Sequence, residues 1–361
     1  MVVLVTMFAT MGRPVGAHAD DRPIVGAIRW DAWYGEGQHV QAVERSLGPR
    51  KFHFRLPFFA RVLADDKVKI DGNAPGIMEK EIAYAANAGL HYWAFVDYGD
   101  KGDLIIARRR YAAARDKHGL RFCFIEESGR VDAQGVQAWP RLVSFFQDPN
   151  YQTVLEGRPL LFVFGCPKKV GRKEFQTLGD AALAAGGKRP YLVLMGFDPQ
   201  RDAQDMQALG FDAVSAYAAG GQYEGEMWSY ARLTDHVRNH YWDVCHRYRI
   251  PTITFVTTGW DTRPRLEHPV PWIPGTVRLD PTPAAEQKPL VDDVTAKPAE
   301  LAKHLQEALE WTRNHRALNP AHAILMYAWN ENDEGGWLIP TLGEGTARLE
   351  ALANVLKGPS Q

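Results

Sequence analysis

Past residue 22 the chain alternates between short apolar runs and longer stretches in which apolar residues recur every three or four positions. The runs are Ile24–Trp30, His91–Asp97, Arg121–Glu126, Leu160–Phe164, Tyr191–Gly196, Asp212–Tyr217, Thr252–Thr257 and Ala323–Trp329. Most are apolar on both faces, the pattern of strands covered on both sides. Between them lie amphipathic segments with readable ends. In Pro75–Gly89, Met78, Ile82, Ala85 and Ala86 fall on one helical stripe, and Gly89 suits its stop. Pro298 opens a helix in which Leu301, Leu305, Ala308 and Leu309 share a face. Strand–helix alternation of this kind predicts an α/β fold with right-handed parallel crossovers. Eight such units without a linker predict one closed (β/α)8 TIM barrel. The rival is an open doubly wound sheet, which would carry a glycine-rich phosphate turn after its first strand. Here that place holds Arg29-Trp30-Asp31-Ala32-Trp33-Tyr34-Gly35, which cannot cradle a pyrophosphate.

Two connections are long: residues 36–74 after the first strand, and the proline-rich residues 264–296 after the seventh. Structureless connections of that length in a compact domain are read as binding loops or lids, and both follow the end of a barrel strand where chemistry takes place. The start, MVVLVTMFATM, is apolar but far short of the roughly 20 residues that span a bilayer. Ala17-His18-Ala19 ahead of Asp20 suits a signal-peptidase site. Residues 1–19 are therefore read as a signal peptide that lacks its positively charged start, and residues 20–361 as the barrel. A secreted or periplasmic protein is the expectation, with the cytoplasm as the alternative if this segment is no leader.

Composition narrows the partners. With 42 Lys+Arg against 43 Asp+Glu, the formal charge of −1 leaves no basic field to hold nucleic acid. Cys123, Cys166 and Cys245 neither build a disulfide scaffold nor form a Cys-x-x-Cys zinc pair. No residue pattern calls for a metal or a cofactor, and oligomeric state is not written in the helix faces.

The strand ends carry a distinctive chemistry. The first delivers Trp30, Asp31, Trp33 and Tyr34, the second Asp97 and Tyr98, the third Glu126 and Glu127, and the sixth Tyr217. The seventh leads to Trp260, Asp261 and Arg263, and the eighth to Asn330-Glu331-Asn332-Asp333-Glu334-Gly335-Gly336-Trp337. Indoles and phenols pack on the C–H faces of a pyranose, while carboxylates accept bonds from its hydroxyls. Glycosidic cleavage also needs two carboxyl groups, one of them holding a proton. Neighbouring residues on a strand point opposite ways, so only one of Glu126 and Glu127 faces the barrel mouth. Three acids between positions 331 and 334 repel one another, a poor structural choice that marks a functional cluster. An oligo- or polysaccharide partner is the reading.

On these residues the sequence resembles glycoside hydrolase family 99, the endo-α-mannosidases and endo-α-mannanases, and related barrel proteins of polysaccharide gene clusters described as glycosyltransferase-like. Trp33-Tyr34-Gly35 is similar to the family's Trp-Tyr-Gly. Ile125-Glu126 with Gly129-Arg130 resembles the acidic end of strand three. Tyr217-Ala218-Ala219-Gly220 and Gly259-x-Asp261-Thr262-Arg263 resemble the turns after strands six and seven. Asn330-Glu331-x-x-Glu334-Gly335 resembles the catalytic segment, and the likeness runs from about Ile24 to Thr341. The resemblance implies a retaining α-glycosidase with Glu334 as acid/base. It also implies that Glu331 acts on the substrate's own 2-hydroxyl, which closes a 1,2-anhydro sugar. Trp33, Tyr34, Asp97, Glu126, Tyr217, Trp260, Asp261, Arg263, Asn330 and Trp337 are then expected to line the site. Two departures stand out: Ala32 replaces a common Pro, and Asn332-Asp333 replaces the family's Trp-x, a change expected to alter the subsite at the reacting sugar. Two alternatives stay open, a non-catalytic carbohydrate-binding barrel and a glycosyltransferase or transglycosylase of a polysaccharide pathway.

Overall fold

The computed structural model describes residues 22–220, 228–272 and 294–358. The expected leader and residues 273–293 of the second long connection lie outside the described residues. Eight strands form the barrel wall: β1 Ile24–Arg29, β2 Tyr92–Val96, β3 Arg121–Glu127, β4 Arg158–Phe164, β5 Tyr191–Gly196, β6 Ala213–Ala216, β7 Thr254–Thr257 and β8 Ala323–Tyr327. All neighbouring pairs are parallel, in chain order from β1 to β6, with β8 between β1 and β7. The ring closes between β6 and β7 through Val214 N–H donating to Pro251 O and Ile253 N–H to Val214 O, both 2.9 Å. The expected (β/α)8 barrel is therefore the fold, and its eight strands fall on the eight apolar runs. Most of the runs are apolar on both faces because the wall is covered on both: by the barrel interior and by the ring of helices.

The helices form for the reasons the sequence suggested. Ile77–Asn87 turns Met78, Glu81, Ile82 and Ala85 to the wall. Pro298–Asn314 begins with Pro298 at its first position and is closed by Glu300, whose carboxylate accepts from Lys297 N–H at 2.9 Å. The connection of residues 36–74 is not structureless. It folds into a helix (Gln38–Ser46), a short 3-10 helix (Arg50–Arg55) and a hairpin (Arg61–Ala64 with Lys67–Lys69), so its length reflects built structure.

Strand alternation sorts the side chains that matter. Trp93, Phe95 and Tyr111 contact one another outside the wall, as do Phe122, Phe124, Phe145 and Tyr151. Arg29 belongs to this outer layer. Its guanidinium donates to Asp31 at 2.8 Å, to Glu81 of the covering helix at 2.7 Å and to the Tyr34 hydroxyl at 3.0 Å. Tyr34 in turn donates to Glu81 at 2.6 Å, and Trp329 Nε1 at 2.7 Å. Burial raises the Asp31 carboxyl to about 6 although Arg29 opposes the shift. A charged knot of this kind pins helix to wall beneath the first strand's exit.

Candidate active site

Just past β8 the chain turns back on itself. Asn330–Glu331 pairs antiparallel with Gly336–Trp337, and Gly335 makes the turn with φ +88°. Only glycine fits there, since a Cβ would lie 2.3 Å from the Asp261 nitrogen. Asp261 N–H donates to Glu334 O at 2.6 Å, so the loops after β7 and β8 are laced together at their backbones. This lacing brings the acids to one point.

That point is Arg265, from the short helix Arg263–Glu267. Its guanidinium meets Asp333 through Nε at 2.7 Å and Nη2 at 3.0 Å, Glu331 through Nη2 at 3.3 Å, and Glu334 through Nη1. It is buried, and stands against the Trp30 and Trp272 rings at 5.4 and 5.7 Å. Burial works against its charge, but Asp333, Glu334 and Glu331 together hold it more firmly protonated than a free arginine. Each glutamate also has its own phenol. Tyr217 donates to Glu331 Oε1 at 3.0 Å, and Tyr327 donates to Glu334 Oε2. Burial, then the neighbouring acids, push both hydroxyls well above the usual tyrosine range, so they remain neutral donors. Burial, and after it the charge of Glu334, raises Glu331 well above a normal carboxyl; Arg265 and Tyr217 pull the other way. Two acids in unlike settings on one guanidinium can divide the roles of proton holder and proton acceptor.

The expected lining residues separate into groups. Glu331, Glu334 and Tyr217 meet at the mouth, and Trp260 joins them through its ring contact with Tyr327 at 5.7 Å. Asp261 and Arg263 brace the loop. Arg263 donates to Asp261 at 2.7 and 2.5 Å, and Arg55 grips the same carboxylate from behind. Burial would raise Asp261, but Arg55 and Arg263 overcome it and hold it low. Asn330 is a clamp, its amide accepting from Trp30 N–H at 3.0 Å and donating to Trp30 O at 2.6 Å.

Five expectations give way. Tyr34 is fully buried in the Arg29 knot, and Trp33 is buried against Phe59. Trp337 is likewise fully buried, under the Arg348 guanidinium at 3.9 Å. Aromatic letters near a strand end do not distinguish wedge from platform, and these three are wedges. Asp97 and Glu126 lie on the outer side of the wall. Asp97 accepts from Arg141, on the covering helix Trp139–Phe146, at 2.6 Å. Burial and then Asp97 push Glu126 well above the carboxylate range, as expected of two acids pressed together. The alternation that placed one of Glu126 and Glu127 at the mouth selects Glu127, which pairs in register with Phe164. Beside it Tyr98 accepts from Trp30 Nε1 at 2.9 Å. At the departure from the family pattern, the Asn332 amide is buried and donates to Arg55 O at 2.5 Å, while Asp333 pairs with Arg265.

Arg265, Tyr327, Trp30, Tyr98 and Glu127 were thus missed or undervalued. For Arg265 the signal was present, because three acids within four residues require a counter-charge and Arg263 and Arg265 follow strand seven.

The fold and this cluster together make a (β/α)8 barrel with a buried, arginine-centred group of acids past its eighth strand. The endo-α-mannosidase of Bacteroides thetaiotaomicron from family GH99, in complex with bis-tris-propane, aligns with TM-score 0.53 at 18% identity, over 90% of this chain and 88% of that one. A second structure of the GH99 endo-α-mannosidase from that organism gives TM-score 0.52 at 16% identity, over 94% and 96%. No curated protein matches. Residues 127–352 match the family described as Glycosyltransferase WbsX, and the chain belongs to that family.

Proposed function

We propose that the chain is a glycoside hydrolase that cleaves an α-linked glycan with retention. Glu334 protonates the leaving oxygen, and Glu331 takes the proton of the sugar's 2-hydroxyl. That oxygen attacks C1 as the C1–O bond breaks, forming a 1,2-anhydro sugar. Water then opens it at C1, giving its proton to Glu334, while the C1–O2 bond breaks and Glu331 returns its proton to the 2-oxygen. The observation that carries the reading is the convergence of Glu331 and Glu334 on Arg265, each with a neutral tyrosine donor. One sugar ring is small enough to be addressed by both. The likeness of fold to GH99 endo-α-mannosidases supports the α-linked substrate.

The raised Glu331 supports a second reading in which the roles exchange, since an acid kept neutral by its surroundings is suited to donate. Substrates with and without a need for acid assistance separate the two. Glu334→Gln and Glu331→Gln are each expected to lose about 10²-fold or more on an α-glycan. On an α-glycosyl fluoride, whose leaving group needs no proton, the variant lacking the acid recovers. Recovery in Glu334→Gln upholds the first assignment, and recovery in Glu331→Gln the exchanged one. Full activity of both variants on the glycan defeats the proposal. The family's description as a glycosyltransferase makes acceptor choice the further readout. Product appearing on a sugar hydroxyl in place of water assigns the same site to transfer.

A further inference from the structure

One feature of the mouth has no part in the chemistry above. Beyond Tyr217 the rings continue. Phe164, at the end of β4, stacks on Tyr217 with centroids 4.7 Å apart and planes at 28°. Phe197, one residue past β5, meets Phe164 edge to face at 5.8 Å. On the other side Tyr217 contacts Tyr327 at 5.8 Å, and Tyr327 contacts Trp260. The rings thus run in an unbroken arc from the two acids outward, and their outer member, Phe197, is 47% exposed.

A large exposed ring is not anomalous by itself. Its mounting is informative. The Phe197 carbonyl accepts from the Tyr241 hydroxyl at 3.2 Å and lies 3.2 Å from His240 Nε2, so the backbone that carries the ring is tied from behind. The ring contributes little burial to the core, yet it is held in place. At the inner end of the arc, Glu127 is the register partner of Phe164 on the neighbouring strand and is half-buried. An apolar face with a carboxylate at its edge matches the two surfaces of a pyranose, whose C–H face packs on rings while its hydroxyls seek acceptors.

We propose that Phe164, Phe197 and Glu127 form a second sugar subsite, adjoining the reacting one across Tyr217, that holds the next residue of a glycan chain. It rests on the carbohydrate reading of the Glu331–Glu334 site and adds to it a preference for substrates longer than one ring. Phe197 is the residue to test, because it is exposed and away from the acids, whereas Phe164 is packed.

Calorimetric titration of the full chain with α-linked manno- and gluco-oligosaccharides of one to four units, supplied as methyl glycosides, provides the measurement. Wild type is expected to bind two units at least about fivefold more tightly than one, in line with aromatic contact energies. Phe197→Ala should lose that increment while keeping single-unit affinity, and Phe197→Tyr should retain it. Glu127→Gln should weaken two-unit binding in the same selective way. Unchanged length dependence in Phe197→Ala overturns the subsite and leaves the acid site standing. The same conclusion follows if wild type binds one unit and two units equally. If wild type binds no member of the series, the carbohydrate reading falls and the subsite with it.

Discussion

Arg265 neutralises a cluster that would otherwise not fold into one place. Three carboxyls share its guanidinium, and the pair with Asp333 is made by two donors at once. Removing one member of a buried charge pair typically costs about 3–5 kcal/mol, because the other is left without compensation. Arg265→Met is therefore expected to be strongly destabilising in urea denaturation. Asp333→Asn added to that variant should restore part of the loss, since it removes one stranded charge. If the double variant is no more stable than Arg265→Met, then Asp333 is not the counter-ion the distances describe. Sequence reasoning reached the acids but not the arginine, because charge crowding is visible along a chain and its remedy lies across a loop. Arg29 and Glu81 teach the same lesson. Each interrupts an apolar pattern, and their mutual contact explains both interruptions. Trp33, Tyr34 and Trp337 failed in the opposite direction, since nothing in an isolated aromatic residue tells whether its ring meets solvent or core.

The strands were readable because burial on two faces leaves an apolar run with no alternation to confuse. The turn after β8 was readable for its glycines, although not for what they accommodate. Gly335 and Gly259 cross so closely that a Cβ on Gly259 would lie 2.2 Å from Gly335 O. Gly335→Ala must displace the Asp261 backbone and with it the laced pair of loops. A loss of at least about 2 kcal/mol in stability is expected from strained backbone and overpacking, together with a fall in turnover as Glu334 moves. Gly129→Ala is the control, having open space at its Cβ. Thermal unfolding and glycan cleavage measured on both variants check this, and a Gly335→Ala protein that behaves like Gly129→Ala contradicts it. The connection of residues 36–74 was misjudged because its helix and hairpin are short. Its hairpin strand Arg61–Ala64 is exposed throughout, and its apolar stretch Val62-Leu63-Ala64 is too short to stand out beside the runs that marked the barrel strands.

At the scale of the whole molecule, buried ionisable groups set opposing responses to pH. His304 is fully buried against Trp242, ring planes 9° apart, and Glu307 Oε2 at 3.9 Å is too far for a hydrogen bond. Burial lowers its pKa below that of a free histidine, with Arg238 adding to the effect and Glu307 opposing it. The unfolded chain then binds this proton more readily than the native one, so stability falls as pH drops below about 6.5. Asp202 acts in the other direction. Burial raises it to about 7, so its native state holds a proton that the unfolded chain gives up, and stability is lost as pH climbs from about 4 towards 7. Denaturation at pH 5, 6 and 7 should show His304→Phe gaining on wild type as pH falls. Asp202→Asn, measured from pH 4 to 7, should gain as pH rises. A constant difference in either series removes that group from the account.

The barrel's closure sets where the molecule breathes. Most of the wall is held by ladders such as the five register pairs joining β4 to β5, but β6 meets β7 through the bonds around Val214 and Ile253. Local opening follows the fewest bonds, so deuterium should enter at those two amides before it reaches the staves on the far side. Tyr217 stands immediately beyond this seam, which gives the phenol bonded to Glu331 a freedom to shift that Tyr327, rooted on β8 between two full ladders, does not share.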